Sequence, residues 1–262
     1  MENEGIRINK YLSEAGVCSR READRQIEAG NVTIDGRVAV MGDRVQPGQQ
    51  VLFCGKATQK EQEEILLLVH KPVGIVCTAE KREKNNIIDF LKYPKRIYPI
   101  GRLDKESSGL LLMTNQGELV NKIMRAGNYH EKEYIVTVNK NITPDFIRGM
   151  SAGVPLKELQ AMTRECVVEK LDTKTFRIIL TQGLNRQIRR MCEYFNYRVV
   201  ELKRVRIMNL KLGDLKPGTY REITPEELAE LKRQIRFSSS ETVHRAGGQP
   251  WKRNKQKQNG RN

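Results

Sequence analysis

The stretch that decides the fold is Gly101-Arg102-Leu103-Asp104-Lys105-Glu106-Ser107-Ser108-Gly109, a polar segment that precedes an apolar run. That run, residues 110–114, is short and apolar, which is typical of a buried strand. The glycines at both ends of the polar segment allow backbone conformations that other residues avoid. We therefore predict that Arg102 and Asp104 lie on a tight loop that leads into a rigid strand, where functional side chains are often found. An isolated Arg-x-Asp is more often a surface ion pair, so its meaning depends on the rest of the chain.

The first part of the chain has the pattern of two short helices and a hairpin. Ile8 and Leu12 have helical spacing, and Ser19 with Glu22 forms a capping box that begins a second helix. Asp35-Gly36 between two short apolar segments predicts a hairpin with a type I′ turn. The basic side chains of the two helices are Lys10, Arg20, Arg21 and Arg25. Their spacing alone fits a solvated surface as well as it fits a binding surface.

Residues 6–51, IRINKYLSEAGVCSRREADRQIEAGNVTIDGRVAVMGDRVQPGQQV, resemble the S4-like RNA-binding domain from end to end. The resemblance implies that the basic helices contact RNA phosphates, which position a protein on structured RNA and read little sequence. Domains of this type occur in many unrelated proteins, so the match indicates a partner and not a reaction. The predicted organisation is an S4-like domain at 5–58, a linker at 59–64, a large domain at 65–236 and a basic tail at 237–262.

Charge and composition narrow the class of partner. The chain has 262 residues, with 47 Lys and Arg against 32 Asp and Glu, a net charge of +15. This excess favours nucleic acid over an anionic membrane as the partner. We expect the tail to be disordered and to add a salt-sensitive attraction to RNA.

The sequence lacks the usual signals of membrane insertion, secretion or metal binding. It has no apolar run long enough to span a membrane, and its beginning does not match a signal peptide, so we expect a cytoplasmic protein. The five cysteines have no C-x-x-C spacing and the three histidines are far apart in sequence. We therefore expect neither a disulfide framework nor a metal centre.

The large domain alternates strand and helix patterns, which indicates the α+β class. Strands are expected within residues 65–69, 110–114, 130–138, 166–168 and 176–180. Asn115 is the expected N-cap of a helix that ends near Arg125. Thr143 and Thr224, each followed by proline, are expected to begin two more helices.

Residues 186–195 predict an amphipathic helix with an unusual basic start. Its apolar positions are Ile188, Met191, Cys192 and Phe195. Arg186, Arg189 and Arg190 crowd its first turns, where a cation faces an unfavourable helix dipole. Local stability does not explain these arginines, so we expect their partner to be a buried carboxylate or a phosphate.

Four segments of the large domain together resemble one enzyme class. HKPVGIVCT (70–78), GRLDKESSGLLLMTNQG (101–117), HEKEYIVTV (130–138) and GLNRQIRRM (183–191) look like the RsuA/RluF class of ribosomal RNA pseudouridine synthases. AGNYHEKEY (126–134) and FIRGMSAGVP (146–155) are most similar to the large-subunit RluF type. The resemblance implies the pseudouridine-synthase fold, a mixed and mainly antiparallel sheet flanked by helices, after the S4-like domain.

The resemblance also implies an activity that uses no cofactor and no metal. A uridine within RNA loses its N1–C1′ bond, the uracil turns, and C5 bonds to C1′. Asp104 matches the catalytic aspartate, as a nucleophile or as a base, and Arg189 would pair with it and keep it ionised despite burial. Arg102 matches the residue that stabilises the helix once the base has flipped out. Tyr134 matches the aromatic residue that stacks on the uracil, and a phenol there could relay the C5 proton.

Further residues are expected at the same site. Leu184 or Ile188 would supply an apolar wall, although both could be ordinary core residues. Arg186 and Arg190 are expected to contact RNA. The expected partner is a structured stem-loop of ribosomal RNA, with 23S large-subunit RNA ahead of small-subunit RNA or tRNA, and the enzyme is expected to act as a monomer.

Two other classes of protein compete with the enzyme hypothesis. A non-catalytic RNA-binding ribosome-assembly factor would explain the charge and the N-terminal domain without Asp104. A metal-dependent nuclease would need a cluster of carboxylates or histidines, which the sequence does not display. The complete set of Arg102, Asp104, Tyr134 and Arg189 favours the synthase.

Overall fold

The chain folds into two α+β parts, and the computed structural model describes residues 5–59, 63–80 and 82–239. The helices are α1 Ile8–Glu14, α2 Arg20–Glu28, α3 Ile87–Leu91, α4 Gly117–Met124, α5 Pro144–Ser151, α6 Gln187–Tyr194 and α7 Pro225–Gln234. The strands are β1 Ile6–Arg7, β2 Val32–Ile34, β3 Arg37–Val38, β4 Arg44–Val45, β5 Val51–Phe53, β6 Lys56–Ala57, β7 Leu66–Lys71, β8 Tyr98–Ile100, β9 Ser108–Thr114, β10 Lys132–Val138, β11 Pro155–Leu156, β12 Ala161–Met162, β13 Val167–Lys170, β14 Thr175–Leu180, β15 Val199–Ile207, β16 Leu210–Lys211 and β17 Tyr220–Glu222. Within these described ranges, no helix has the length and apolar character that crossing a membrane requires.

The N-terminal part is built as its sequence pattern predicts. Helices α1 and α2 pack beside a four-stranded sheet of order β3-β2-β5-β6, around the buried side chains of Leu12, Ile27 and Val32. The Ser19 hydroxyl accepts the Glu22 amide as the N-cap of α2. The other half of the expected capping box does not form, because the Glu22 carboxylate accepts hydrogen bonds from neighbouring side chains of its own helix.

The large part is organised around one nine-stranded sheet of order β13-β14-β10-β15-β9-β7-β17, with β8 paired to β9 and β16 to β15. Of its pairs, only β9 with β15 is parallel. Apolar residues of α5 and α6 form one core at one end of the sheet, and those of α4 and α7 form another near β7 and β9. This arrangement confirms the predicted α+β class and the mixed, mainly antiparallel sheet.

The start of α4 differs from the prediction. The helix begins at Gly117, and its N-cap is Gln116, whose side chain makes no capping bond. Asn115 instead accepts the amide of Ile65 at 3.0 Å and donates to the carbonyl of Glu63 at 2.7 Å. A residue that is a good helix cap by local pattern therefore closes the start of β7, because backbone groups distant in sequence compete for its amide.

Direct contacts join the two parts. Lys10 of α1 donates to Glu118 of α4 at 2.8 Å, and Arg96 donates to the Ser13 carbonyl at 3.1 Å. A groove of about 1300 Å³ lies at this junction, and none of the predicted catalytic residues lines it. Lys10, which the sequence suggests as an RNA contact, is therefore engaged in holding the two parts together.

The first residues of the predicted tail contact the large domain. Ser238 Oγ lies 3.0 Å from His130 Nε2, and the Ser239 amide donates to Asn128 at 3.2 Å. The remainder of the predicted tail, residues 240–262, lies outside the described residues. Its proposed disorder and RNA attraction therefore stay predictions.

The parallel contact between β9 and β15 depends on a glycine. Gly109 lies opposite Arg204 and has a φ of +102°. A Cβ atom at Gly109 would lie 2.2 Å from the Arg204 carbonyl oxygen and 2.6 Å from its amide nitrogen. Arg204 Nε also donates to the Leu110 carbonyl at 2.7 Å, so side chain and backbone both fasten β15 to β9.

We expect Gly109→Ala to lower the free energy of unfolding by about 3 kcal/mol, since it combines a backbone clash with an unfavourable φ. Urea unfolding measures this, with Gly127→Ala as the control because a Cβ there meets nothing within 4 Å. A Gly109→Ala protein as stable as the control would show that the two strands can separate without cost.

Candidate active site

A cavity of about 630 Å³ lies where the loop before β9 meets β10, β15 and the start of α6. It brings together seven of the predicted site residues, namely Arg102, Asp104, Tyr134, Leu184, Arg186, Ile188 and Arg189. These residues are separated by up to 87 positions in the sequence, and the fold brings them to one cavity. Their individual roles remain predictions.

Asp104 faces the cavity between two arginines. Its Oδ2 lies 3.8 Å from Arg189 Nε and 3.8 Å from Arg186 Nη1. Its side chain is 34% exposed, so the expectation that the carboxylate is buried is wrong. The loop opens toward the cavity and leaves the carboxylate in contact with solvent. At 3.8 Å the arginines supply charge without a tight hydrogen bond, which leaves the carboxylate oxygens available to a ligand.

Arg189 fixes the loop that carries Asp104. Its Nη2 donates to the Glu106 carbonyl and to the Ser107 hydroxyl, both at 3.2 Å. Its side chain is nearly buried. Its Nε has no hydrogen-bond partner among the described residues and lies 3.8 Å from Asp104 Oδ2. The predicted pairing of Arg189 with Asp104 is thus possible at this distance, and the guanidinium has a second, structural contact that the sequence does not indicate.

Lys71 holds the same loop from the opposite side. It is fully buried at the end of β7, and its Nζ donates to the Ser107 carbonyl at 2.7 Å and to the Pro72 carbonyl at 2.8 Å. Burial lowers the pKa of Lys71. Its position inside an apolar strand is a signal that sequence analysis could have used, since lysine is rarely buried without a reason.

The remaining predicted pocket residues differ in exposure. Arg102 is exposed at the mouth of the cavity, and Tyr134 is half-buried in its wall. Leu184 is half-buried, whereas Ile188 is buried and also belongs to the core beneath α6. Both apolar residues therefore line the cavity, and Ile188 serves the core as well.

Arg190 does not line the cavity. Its Nε donates to the Asn185 carbonyl at 3.1 Å, and its guanidinium forms an ion pair with Glu158. Arg186 is not inside the helix, because it is the left-handed N-cap of α6 and pairs with Glu106 at 3.3 Å. The partners of the basic cluster within the described chain are carboxylates, but these are 34–77% exposed and not buried as expected. The phosphate alternative stays a prediction.

The predicted RNA contacts of the N-terminal part lie outside the cavity. Arg25 pairs with Glu22 on the same helix, and Lys10 is engaged by Glu118. Arg20 and Arg21 are exposed, and neither has an ion-pair partner in the part of the chain that the structure describes. Of the four predicted RNA contacts, Arg20 and Arg21 are therefore the ones available to bind RNA phosphates.

The cavity carries an excess of positive charge. Among the residues described, six basic side chains line it, namely Arg102, Lys105, Lys132, Arg186, Arg189 and Arg204, against the two acids Asp104 and Glu106. Sequence analysis missed Lys132 and Arg204 as site residues. The period of two in a strand places Lys132 on the same face as Tyr134, so that signal was present. Such a charge balance favours a polyanionic ligand.

Lys132 is the most perturbed of these cations. It is 3% exposed, and its pKa is lowered to about 8 by burial and by the neighbouring charge of Arg204. In the described part of the chain, no group of three or more His, Cys, Asp or Glu side chains is placed to hold a metal ion.

The lowered pKa of Lys132 predicts a pH-dependent cost to stability. The folded protein releases this proton near pH 8 and the unfolded chain near pH 10.5, so the unfolded chain binds the proton more tightly between these values. The free energy of unfolding of the wild type, relative to Lys132→Met, should therefore rise with pH across this window by up to about 3 kcal/mol. Urea unfolding of both proteins measures the difference, and a flat difference would contradict a buried charge.

Comparisons with known proteins agree with the geometry. The model of the RNA pseudouridylate synthase family matches residues 65–194, and the S4 domain model matches residues 6–51. A solved structure described as a pseudouridylate synthase has a TM-score of 0.64 and 25% identity, and it covers 86% of this chain and 99% of its own.

Curated relatives extend the similarity over most of the chain. The dual-specificity RNA pseudouridine synthase RluF of Escherichia coli is 53% identical over 95% of this chain and 86% of its own length. The ribosomal large subunit pseudouridine synthase B of Bacillus subtilis is 36% identical over 86% of this chain and 95% of its own. The ribosomal small subunit pseudouridine synthase A of Yersinia pestis is 32% identical, with 86% and 98% covered. The chain therefore belongs to the RNA pseudouridine synthase family and has an N-terminal S4 domain.

Proposed function

We propose that this enzyme converts uridine to pseudouridine at specific sites of ribosomal RNA, with large-subunit RNA as its main substrate. The observation that carries this proposal is the Asp104 carboxylate, held 3.8 Å from two arginines in a cavity whose lining, within the described residues, has six basic side chains and two acidic ones. That cavity can attract a nucleotide and present the Asp104 side chain to it. A ribosome-assembly factor without catalysis would not require this arrangement.

The first step is extrusion of the target base. A cavity of about 630 Å³ lined by Asp104 and Tyr134 can receive a nucleotide only after it has left the RNA stack. Arg102 is exposed at the cavity mouth, where a guanidinium can occupy the place of the flipped base. Extrusion costs a few kcal/mol, which phosphate contacts to exposed basic side chains can offset.

The second step is the rearrangement at the ribose. The pair of electrons in the N1–C1′ bond leaves with N1, the ring turns, and C5 forms the new bond to C1′. Asp104 acts at the ribose in one of two ways. As a nucleophile it bonds to C1′ as N1 leaves, and that bond breaks when C5 attacks C1′; as a base it takes the C2′ proton and returns it as the C5–C1′ bond forms. Lys71 and Arg189 keep its loop in place through Ser107. Tyr134 lies in the cavity wall, which supports a role in stacking on the uracil and in relaying the C5 proton, the phenol passing its own proton on as it takes up this one.

The substrate assignment rests on the relatives and on the charge of the chain. A relative named for the large ribosomal subunit is more similar to this chain than one named for the small subunit. Relatives at 53% identity are named dual-specificity enzymes, which favours a second RNA substrate, and we propose tRNA for it. We further propose a monomer that works in the cytoplasm; the predicted catalytic residues all line one cavity of a single chain, which supports action without a partner subunit.

The proposal predicts that Asp104→Asn abolishes product and leaves RNA affinity within about twofold, because the amide keeps the shape and loses the charge. Pseudouridine mapping of total RNA measures product formation. The cells compared have the gene intact, the gene deleted, or the deletion rescued by the wild-type gene or by the Asp104→Asn gene. We expect one ribosomal site to be lost on deletion and restored by the wild type only. If every pseudouridine survived deletion of the gene, the non-catalytic assembly-factor hypothesis would be favoured over the synthase.

Tyr134→Phe should slow the chemical step by about 100-fold and leave binding unchanged, since it keeps the aromatic ring and removes only the hydroxyl. Single-turnover rates and RNA affinity, measured separately, test this. A wild-type rate would leave Tyr134 with a stacking role only.

A further inference from the structure

The basic side chains on the two faces of strands β10 and β15 differ in whether they have carboxylate partners. On one face, the Glu133 carboxylate of β10 accepts a hydrogen bond from Arg206 of β15 at 2.7 Å and lies 3.6 Å from Arg177 of β14. On the other face, Lys132 and Arg204 point to the cavity, and neither has a carboxylate partner within the described residues. The register that places Tyr134 opposite Arg204 puts these two cations beside the predicted catalytic tyrosine.

Lys132 and Arg204 are more buried than the other cavity cations. Lys132 is 3% exposed, and its Nζ donates only to the His130 carbonyl, at 3.1 Å. Arg204 is 1% exposed; its Nε donates to the Leu110 carbonyl, while its Nη2 has no partner among the described residues. Gln182, also in the cavity wall, is 8% exposed, and its Nε2 likewise has no partner in residues 5–59, 63–80 and 82–239.

This arrangement lowers the stability of the folded protein. A buried charge without a counter-ion and a buried donor without an acceptor each destabilise the folded state. Two adjacent cations add mutual repulsion, which agrees with the lowered pKa of Lys132. Such a set persists where a ligand supplies the missing acceptors, and every unsatisfied group here is a donor.

A ligand that matches these donors offers acceptor oxygens and carries negative charge at some stage. A phosphate fits the exposed cations at the cavity mouth, Arg102 and Lys105, better than the buried ones. A uracil ring fits the buried wall, because its C2 and C4 carbonyls are acceptors and because breaking its bond to ribose makes it an anion.

We propose that Gln182, Lys132 and Arg204 form a donor wall that binds the carbonyl oxygens of the flipped uracil, and that Lys132 and Arg204 stabilise the uracil anion after N1–C1′ cleavage. This inference rests on the proposed function. The electron pair of the broken bond goes to N1 and spreads over the two carbonyl oxygens. C5 then uses a ring electron pair to bond to C1′, its proton leaves to a base, and N1 takes up a proton. The wall donates hydrogen bonds and undergoes no bond change.

Cations fixed in advance around a developing charge are effective, since a water-poor site weakens screening and needs no reorganisation. The wall also explains how the ring can turn without being lost. A detached anion remains bound by charge while its orientation changes, because the contact is not tied to one atom of the ring.

The test is single-turnover conversion of a uridine-containing RNA by the full chain and by Lys132→Met. We expect the variant to slow the reaction by about 100-fold, the size of effect seen when one preorganised donor is removed. RNA affinity should stay within about twofold, and the stability near neutral pH should not fall. Lys132→Arg, which keeps the charge, should recover most of the rate. The matched control is Lys203→Met. Lys203 directly precedes Arg204 on β15, but its side chain is exposed and does not line the cavity.

A second substrate separates anion stabilisation from a structural role. Fluorine at C5 makes the uracil anion more stable, so an RNA with 5-fluorouridine at the target should depend less on the wall. We expect the loss caused by Lys132→Met to shrink by about tenfold on this RNA, measured as disappearance of N-linked 5-fluorouridine. An equal loss on both RNAs, or a wild-type rate for Lys132→Met, would overturn the proposal. Failure of the wild type itself to convert uridine would instead overturn the proposed function.

Discussion

The geometry of the site depends on the close contact between Gly109 and the backbone of Arg204. This contact lets the strand after the Asp104 loop lie directly against β15, at the single parallel pair of the large sheet. It also places the buried Arg204 side chain under the loop, where it holds the Leu110 carbonyl. Lys71 and Arg189 both bond to Ser107, the last residue of the loop before β9. Asp104 therefore lies on a short segment that hydrogen bonds hold to β7 and to α6.

The bonds from Lys71 and Arg189 explain how Asp104 can be accessible to solvent and still be held in a defined position. Asp104 is partly exposed, yet the loop that carries it is bonded from β7 on one side and from α6 on the other. A functional group on a loop usually gains access at the expense of precision. Here two buried cations supply the precision through backbone carbonyls and a hydroxyl, and this leaves the carboxylate itself free for chemistry.

Sequence reasoning succeeded where the signal is local. The Ser19 and Thr224 caps, the hairpin at Asp35 and the amphipathic face of α6 each follow from a few neighbouring residues, and the structure contains them. It failed where distant groups compete. Asn115 closes β7 instead of capping α4, and Glu22 binds side chains of its own helix instead of completing its box.

The donor wall shows the same limit within the site. Asp104, Tyr134 and Arg189 could be named from motifs, because their segments are distinctive. Lys132 and Arg204 gain their meaning only when the sheet register brings them together without a carboxylate. A sequence pattern shows that a strand carries a lysine, but it cannot show whether a partner strand supplies an acid to that lysine. On the outer face of β10, Glu133 supplies a carboxylate to Arg206 of the partner strand. On the cavity face, Lys132 bonds to the His130 carbonyl and receives no carboxylate from the described residues.

The central claim is that Asp104 performs base isomerisation on RNA. The most direct measurement is release of tritium from RNA labelled at C5 of uridine, using purified wild type and Asp104→Asn at equal RNA occupancy. We expect the wild type to release tritium from one site of large-subunit ribosomal RNA and the variant to release none. Release by Asp104→Asn at the wild-type rate, or no release by the wild type, would contradict the role assigned to this carboxylate.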